Sequence, residues 1–264
     1  MRTFLFAFIV GLATACNFNS EPSGESPQSG PDSAAVAIDT IAVNYQGKDS
    51  LAGVTLCLLK LELRPADSVM QQIAQDFNKQ ALSLSAGSDF EYQSFTQRAD
   101  SFVAERKRFE ADFEGFKPAW DLMQNLKVVL NKNGVLGLNL QQQSYTGGAH
   151  PNHYSLYRYY RLRDGAVLEV GDFIPPEIHA ALLALTEKRF REEMELKPTE
   201  SLTEAGFWFE EDRFKLAENF AYDGQTLSFV YNPYEVAPYA IGSIVVTLTQ
   251  NDLQKLQSAE KLNI

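Results

Sequence analysis

The sequence predicts an α+β protein in which an antiparallel sheet is packed by helices. Two observations predict it. Runs rich in β-branched and aromatic residues come in pairs around Asn133-Gly134, Asp164-Gly165 and Asp223-Gly224, and such pairs read as hairpins. Apolar residues spaced by three or four fall in separate segments, between Pro65 and Phe113 and again after Pro176. Helices therefore segregate from strands instead of alternating with each one.

The elements follow in order. Val36 to Tyr45 and Leu51 to Leu63 read as strands around Gly47-Lys48-Asp49. Pro65 opens a helix that turns Val69, Ile73, Phe77, Ala81 and Leu84 inward. Ser88 with Glu91 forms a capping box for a second helix, striped by Phe95, Ala99, Phe102, Phe109 and Phe113 and stopped by Gly115 and Pro118. Residues 35–120 are thus expected to form a smaller N-terminal domain of a strand hairpin plus helices. Residues 121–264 are expected to form a second α+β domain. Its strands are Leu126 to Leu130, Val135 to Gln143, Tyr154 to Leu162, Val167 to Val170, Phe214 to Tyr222, Thr226 to Tyr231 and Ile244 to Thr249. A helix from Pro175-Pro176 to about Leu196 and a closing helix from Asp252 to Leu262 complete it. In YSLYRYYRLR, strand alternation sends Tyr154, Leu156, Arg158, Tyr160 and Leu162 to the core. It sends Ser155, Tyr157, Tyr159, Arg161 and Arg163 to solvent, where the arginines can pair with carboxylates.

The N-terminus predicts the compartment. Arg2, the apolar Phe4 to Leu12 and Ala13-Thr14-Ala15 make residues 1–15 a signal peptide. Cys16 stands directly after the cleavage site, as in a bacterial lipobox, although Ala13 occupies the usual leucine position. A lipidated Cys16 would tether the protein to a membrane through more than one acyl chain. Cys57 lies in the apolar run VTLCLLKL and reads as a buried hydrophobe, so no disulfide is expected. Residues 16–34 form a lipidated disordered tether, rich in Ser, Pro and Gly, with a coil reach of about 25 Å.

Charge narrows the partners. The chain carries −11 at pH 7, and nine carboxylates fall between Glu192 and Glu218. That disfavours nucleic acid and suits a cationic partner or a solvated face. The membrane is expected to be engaged by the anchor alone.

Two loops carry the candidate site. YNPYEVAPYAIG, residues 231–242, concentrates tyrosines and φ-restricting prolines around Glu235. Such a stiff loop suits recognition, because each ring adds contact area at low entropic cost. QSYTGGAHPNHY, residues 143–154, gathers polar groups about Gly147-Gly148. The proposed binding residues are Tyr145, Thr146, Gly147, Gly148, His150, Asn232, Tyr234, Glu235 and Tyr239. The H-P-N-H spacing is no specific ligand signature, so no metal and no cofactor is expected. There is no G-x-S-x-G, P-loop or G-x-G-x-x-G run. Asp172 reads as a turn or cap residue.

The segments SYTGGAHPNHYSLYRYYRLRDGAVLEVGDFI and TLSFVYNPYEVAPYAIGSIVVTL resemble the extracytoplasmic domain of unknown function in RsiV-type lysozyme-sensing anti-sigma factors. A related domain accompanies bacterial peptidoglycan deacetylases. The resemblance covers about Leu126 to Leu262, and residues 36–120 look like the smaller domain often paired with it. It implies an antiparallel sheet packed by helices and an extracytoplasmic address. It also implies a surface that could meet a lysozyme-like protein. The sequence holds neither a sigma-binding segment nor room for a deacetylase catalytic domain. The expectation is a lipid-anchored envelope module that binds a cell-wall-associated protein, such as a lysozyme-like hydrolase, or a glycan. The alternatives are a peptidoglycan-acting hydrolase using His150 and Glu235, and a purely structural envelope module.

Overall fold

The computed structural model describes residues 33–45, 53–86, 92–113 and 118–261. The expected signal peptide, Cys16, most of the expected tether, the expected Gly47 turn and the expected Ser88–Glu91 box lie outside the described residues.

Strands β1 (Ala35–Tyr45) and β2 (Val54–Arg64) pair antiparallel in full register. Helices α1 (Ser68–Ala86) and α2 (Phe95–Asp112) follow. The second starts on Ser94, whose hydroxyl accepts the Gln97 N–H at 3.1 Å, so the cap lies later than the sequence suggested. β3 (Trp120–Lys132) then returns beside β2 in parallel, with Val54 opposite Trp120 and Cys57 opposite Met123. One pair of the expected antiparallel sheet is therefore parallel. Parallel neighbours need a long crossover, which α1 and α2 supply on one face. The sheet runs without a break through residue 120, where the sequence suggested a domain boundary.

β4 (Val135–Tyr145) closes a hairpin with β3 through Asn133 and Gly134, both at positive φ (54° and 72°), as a type I′ turn requires. β5 (Asn152–Arg161) and the short β6 (Val167–Leu168) complete a six-stranded sheet in simple sequence order. Its first face packs on α1 and α2, and the core they share buries Leu58, Phe77, Phe102, Leu138 and Tyr160.

The rest of the chain covers the opposite face toward β5. It comprises α3 (Val170–Phe173), α4 (His179–Glu193), a small antiparallel sheet of β7 (Phe220–Tyr222), β8 (Leu227–Tyr231) and β9 (Ile244–Leu248), and α5 (Gln250–Lys261). Two element expectations change here. Pro175 and Pro176 lead into a 3-10 turn, and the α-helix begins only at His179. The strand expected from Phe214 to Tyr222 shrinks to its last three residues, and residues 214–219 run as irregular chain.

The second face of β5 is also not solvent. Tyr159 is 1% exposed, stacks on Phe220 at 5.1 Å and meets Phe173 edge-on at 5.3 Å. Its hydroxyl donates to the Tyr222 carbonyl at 3.0 Å. Gly137 on β4 lies under that ring, and a Cβ there would overlap it. Alternation along β5 is as expected at its C-terminal end, where Tyr159 and Tyr160 enter cores on opposite faces. Tyr154, expected in the core, is 40% exposed because no described element covers that end of the strand's first face. Arg161 does pair with Asp164, at 3.1 Å.

Candidate functional site

The two loops flagged by the sequence meet. The β4–β5 connection, residues 146–151, is turned by Gly147 at φ 88°, a conformation glycine adopts without strain. It presents His150 to the loop that follows β8. The His150 ring stacks on Tyr239 at 3.5 Å between centroids and 12° between planes. Tyr239 donates its hydroxyl to the Pro151 carbonyl. His150 Nδ1 faces that same carbonyl at 3.1 Å, and Nε2 faces the Tyr234 hydroxyl at 3.2 Å. An Nδ1–H donated to the carbonyl and a Tyr234 hydroxyl donated to Nε2 satisfy both contacts. Tyr234 and Tyr239 lie 5.6 Å apart, so three rings form one cluster.

Local bonds shape the second loop. The Glu235 N–H donates to the Asn232 carbonyl at 3.1 Å, and the Glu235 carboxylate accepts the Asn232 N–H at 2.9 Å. Val236 and Ala237 are buried, and the Val236 carbonyl accepts the Trp208 N–H at 2.9 Å. Between these anchors Tyr234 is held out at φ 68° and 54% exposed. Desolvation raises the Glu235 carboxyl above the ordinary glutamate value, with the Asn232 N–H opposing.

Asn232 is tied into the fold. It is buried, its Oδ1 accepts the Ser155 N–H at 2.8 Å and its Nδ2 donates to the Ser155 carbonyl at 3.1 Å. Asn219 does the same one step on. Its Oδ1 accepts the Tyr157 N–H at 2.8 Å, and its Nδ2 donates to the Ser155 carbonyl at 2.7 Å. Two side-chain amides thus occupy the outer edge of β5 where a further strand would pair. Of the remaining candidates, Tyr145, Gly147 and His150 are half-buried, and Thr146 and Gly148 are exposed.

His150 spends both ring nitrogens on Tyr234 and Pro151, and Glu235 turns to Asn232. Among the described residues no hydrogen bond joins His150 to Glu235, so the acid–base pair considered from the sequence is not assembled in this geometry. Nor does any group of three His, Cys, Asp or Glu among the described residues converge on a metal position.

An open groove of about 870 Å³ adjoins the cluster. Tyr154, Leu156 and Arg158 of β5 line one side, and the irregular chain from Trp208 to Asn219 lines the other, with Glu235 also on the lining. Trp208 is 52% exposed and Tyr154 40%. Burial, and then the Glu235 carboxylate, push the Tyr154 hydroxyl above the usual tyrosine value. Sequence reasoning passed over Trp208 as a site residue. The available signal was a tryptophan in the strongly acidic FWFEED.

This arrangement defines the class: an α+β fold with an aromatic surface built from two paired loops. Two family models match the chain, one described as a protein of unknown function (DUF3298) over residues 171–251 and one as deacetylase PdaC over residues 64–153. Two solved proteins share the fold. A DUF3298 family member from Bacteroides fragilis NCTC 9343 is 18% identical with a TM-score of 0.59, over 84% of this chain and 94% of that one. A DUF3298 family protein from Pseudomonas aeruginosa PAO1 is 16% identical with a TM-score of 0.59, over 83% and 93%. No curated protein matches. At these identities the likeness is one of fold.

Proposed function

We propose that this chain is a lipid-anchored, extracytoplasmic binding module that recognises a cell-wall-associated protein or glycan, a lysozyme-like hydrolase among the candidate partners. The observation that carries it is the stacked His150, Tyr234 and Tyr239 cluster, built from two loops 84 residues apart and left partly open to solvent. Exposed, preorganised rings suit recognition, because little entropy is lost when a partner lands on them. The two matched family descriptions, one of them a deacetylase, support an envelope-related setting. Anchoring rests on Cys16 after the signal peptide.

The test is a pull-down with the fragment from Ser33 onward, offered a lysozyme and soluble peptidoglycan fragments in parallel. Saturable capture that Tyr234→Ala removes, with the thermal midpoint unchanged, supports the module. Capture that survives Tyr234→Ala, or no capture of either probe, defeats it. Metabolic labelling with a tritiated fatty acid should mark the protein, and Cys16→Ser should remove the label.

A further inference from the structure

We propose that the groove beside β5 binds an amino-sugar oligosaccharide carrying free ammonium groups. This specifies the glycan side of the binding reading above and rests on it. The groove's volume, about 870 Å³, lies within the 300–1,000 Å³ typical of ligand sites.

The first argument concerns what the groove refuses. An extended peptide usually docks on a strand edge by adding a strand. Here the outward backbone groups of Ser155 and the Tyr157 N–H already pair with Asn219 and Asn232. A peptide would find no free ladder there, so the ligand must be held by side chains.

The second argument is what those side chains offer. Trp208 and Tyr154 each present a large exposed ring on the groove lining. A flat aromatic face accepts the C–H face of a pyranose, while the indole N–H and phenol O–H remain available for hydroxyls.

The third argument is charge. Four carboxylates and three cations line the groove, and the cations are already committed. Arg158 pairs with Asp76 at 2.9 Å, Arg213 with Glu211 at 3.2 Å and Lys215 with Glu218 at 3.2 Å. Glu210 and Glu235 are left with no ion-pair partner among the described residues. Ammonium groups on a sugar oligomer would complete them with charge-assisted hydrogen bonds, and Trp208 can take a further cation on its face. An N-acetylated oligomer offers the same rings but leaves both carboxylates unpaired.

Isothermal titration of the purified full chain tests this with three probes: a glucosamine hexamer, the N-acetylglucosamine hexamer and hexalysine. The expected result is saturable binding of the glucosamine hexamer, at least tenfold tighter than either comparator and weakened by salt. Trp208→Ala should abolish it and Trp208→Phe should keep most of it. The double variant Glu210→Gln, Glu235→Gln should cost at least tenfold. Equal binding of hexalysine would reduce the groove to a diffuse acidic surface and overturn the proposal. So would equal binding of the acetylated hexamer, indifference to Trp208→Ala, or no saturable binding. A protein that captures lysozyme through Tyr234 yet ignores the glucosamine hexamer keeps the general module and loses this ligand.

Discussion

Tyr234 holds a left-handed backbone at φ 68°, which costs a residue with a Cβ about 1–2 kcal/mol. The Asn232–Glu235 turn and the buried Val236 and Ala237 fix the chain on either side and impose that conformation. Asparagine tolerates it far better than tyrosine. Tyr234→Asn should therefore leave the thermal midpoint unchanged or raised while abolishing partner capture, read by calorimetry and pull-down on one preparation. Asn232→Ala should do the reverse. It strips the Ser155 N–H and carbonyl of their buried partner and should cost about 2–3 kcal/mol in a urea melt. The loops themselves were legible, since their Tyr, Pro and Gly content is local information. Their meeting was not, because stacking of His150 on Tyr239 depends on how two distant hairpin ends are brought together. Nor could the sequence show that Asn232 serves the backbone of β5, since an amide's partners depend on which strand edge lies open beside it.

Among the elements, β5 and α1 are joined by a polar clamp. Arg158 donates to Asp76 at 2.9 and 3.2 Å, and Tyr160 donates to it at 2.7 Å. Burial alone would raise the Asp76 carboxyl, but the guanidinium and the phenol outweigh it and hold it below the ordinary aspartate value. A depressed folded pKa stabilises above the unfolded value and loses that stabilisation as pH falls through the folded one. Asp76→Asn should thus destabilise by about 1.5 kcal/mol at pH 7, with the gap to the parent closing toward pH 3, as followed by thermal melts across pH. The same strand shows where periodicity stops informing. Alternation placed Tyr160 and Leu156 correctly, yet could not tell that Tyr159 faces a second core rather than water. A period of two reports which residues share a face, not what covers that face.

At the scale of the molecule, two cores lean on one sheet. Leu126 and Tyr160 belong to the first, while Leu130 and Tyr159, on the same strands, belong to the second. Neither can melt without exposing the other's wall, so unfolding should be a single cooperative transition. Trp120 lies in the first core, and Trp208 follows Phe207 of the second. Fluorescence melts of Trp208→Phe and Trp120→Phe, each leaving one reporter, should coincide; midpoints several degrees apart would show two independent units. Gly137→Ala, pressing a methyl into the Tyr159 ring, should lower that shared midpoint by the equivalent of about 1–3 kcal/mol.

The asparagine-sealed edge of β5 also sets a timetable. Its stoppers lie 62 to 77 residues further along the chain than the backbone they close. During synthesis β5 emerges well before Asn219 and Asn232 do, and until they arrive its unpaired groups invite any neighbouring strand. Synthesis of this protein therefore passes through an interval of exposed stickiness, which ends only when Asn232, more than seventy residues behind Ser155, has been delivered.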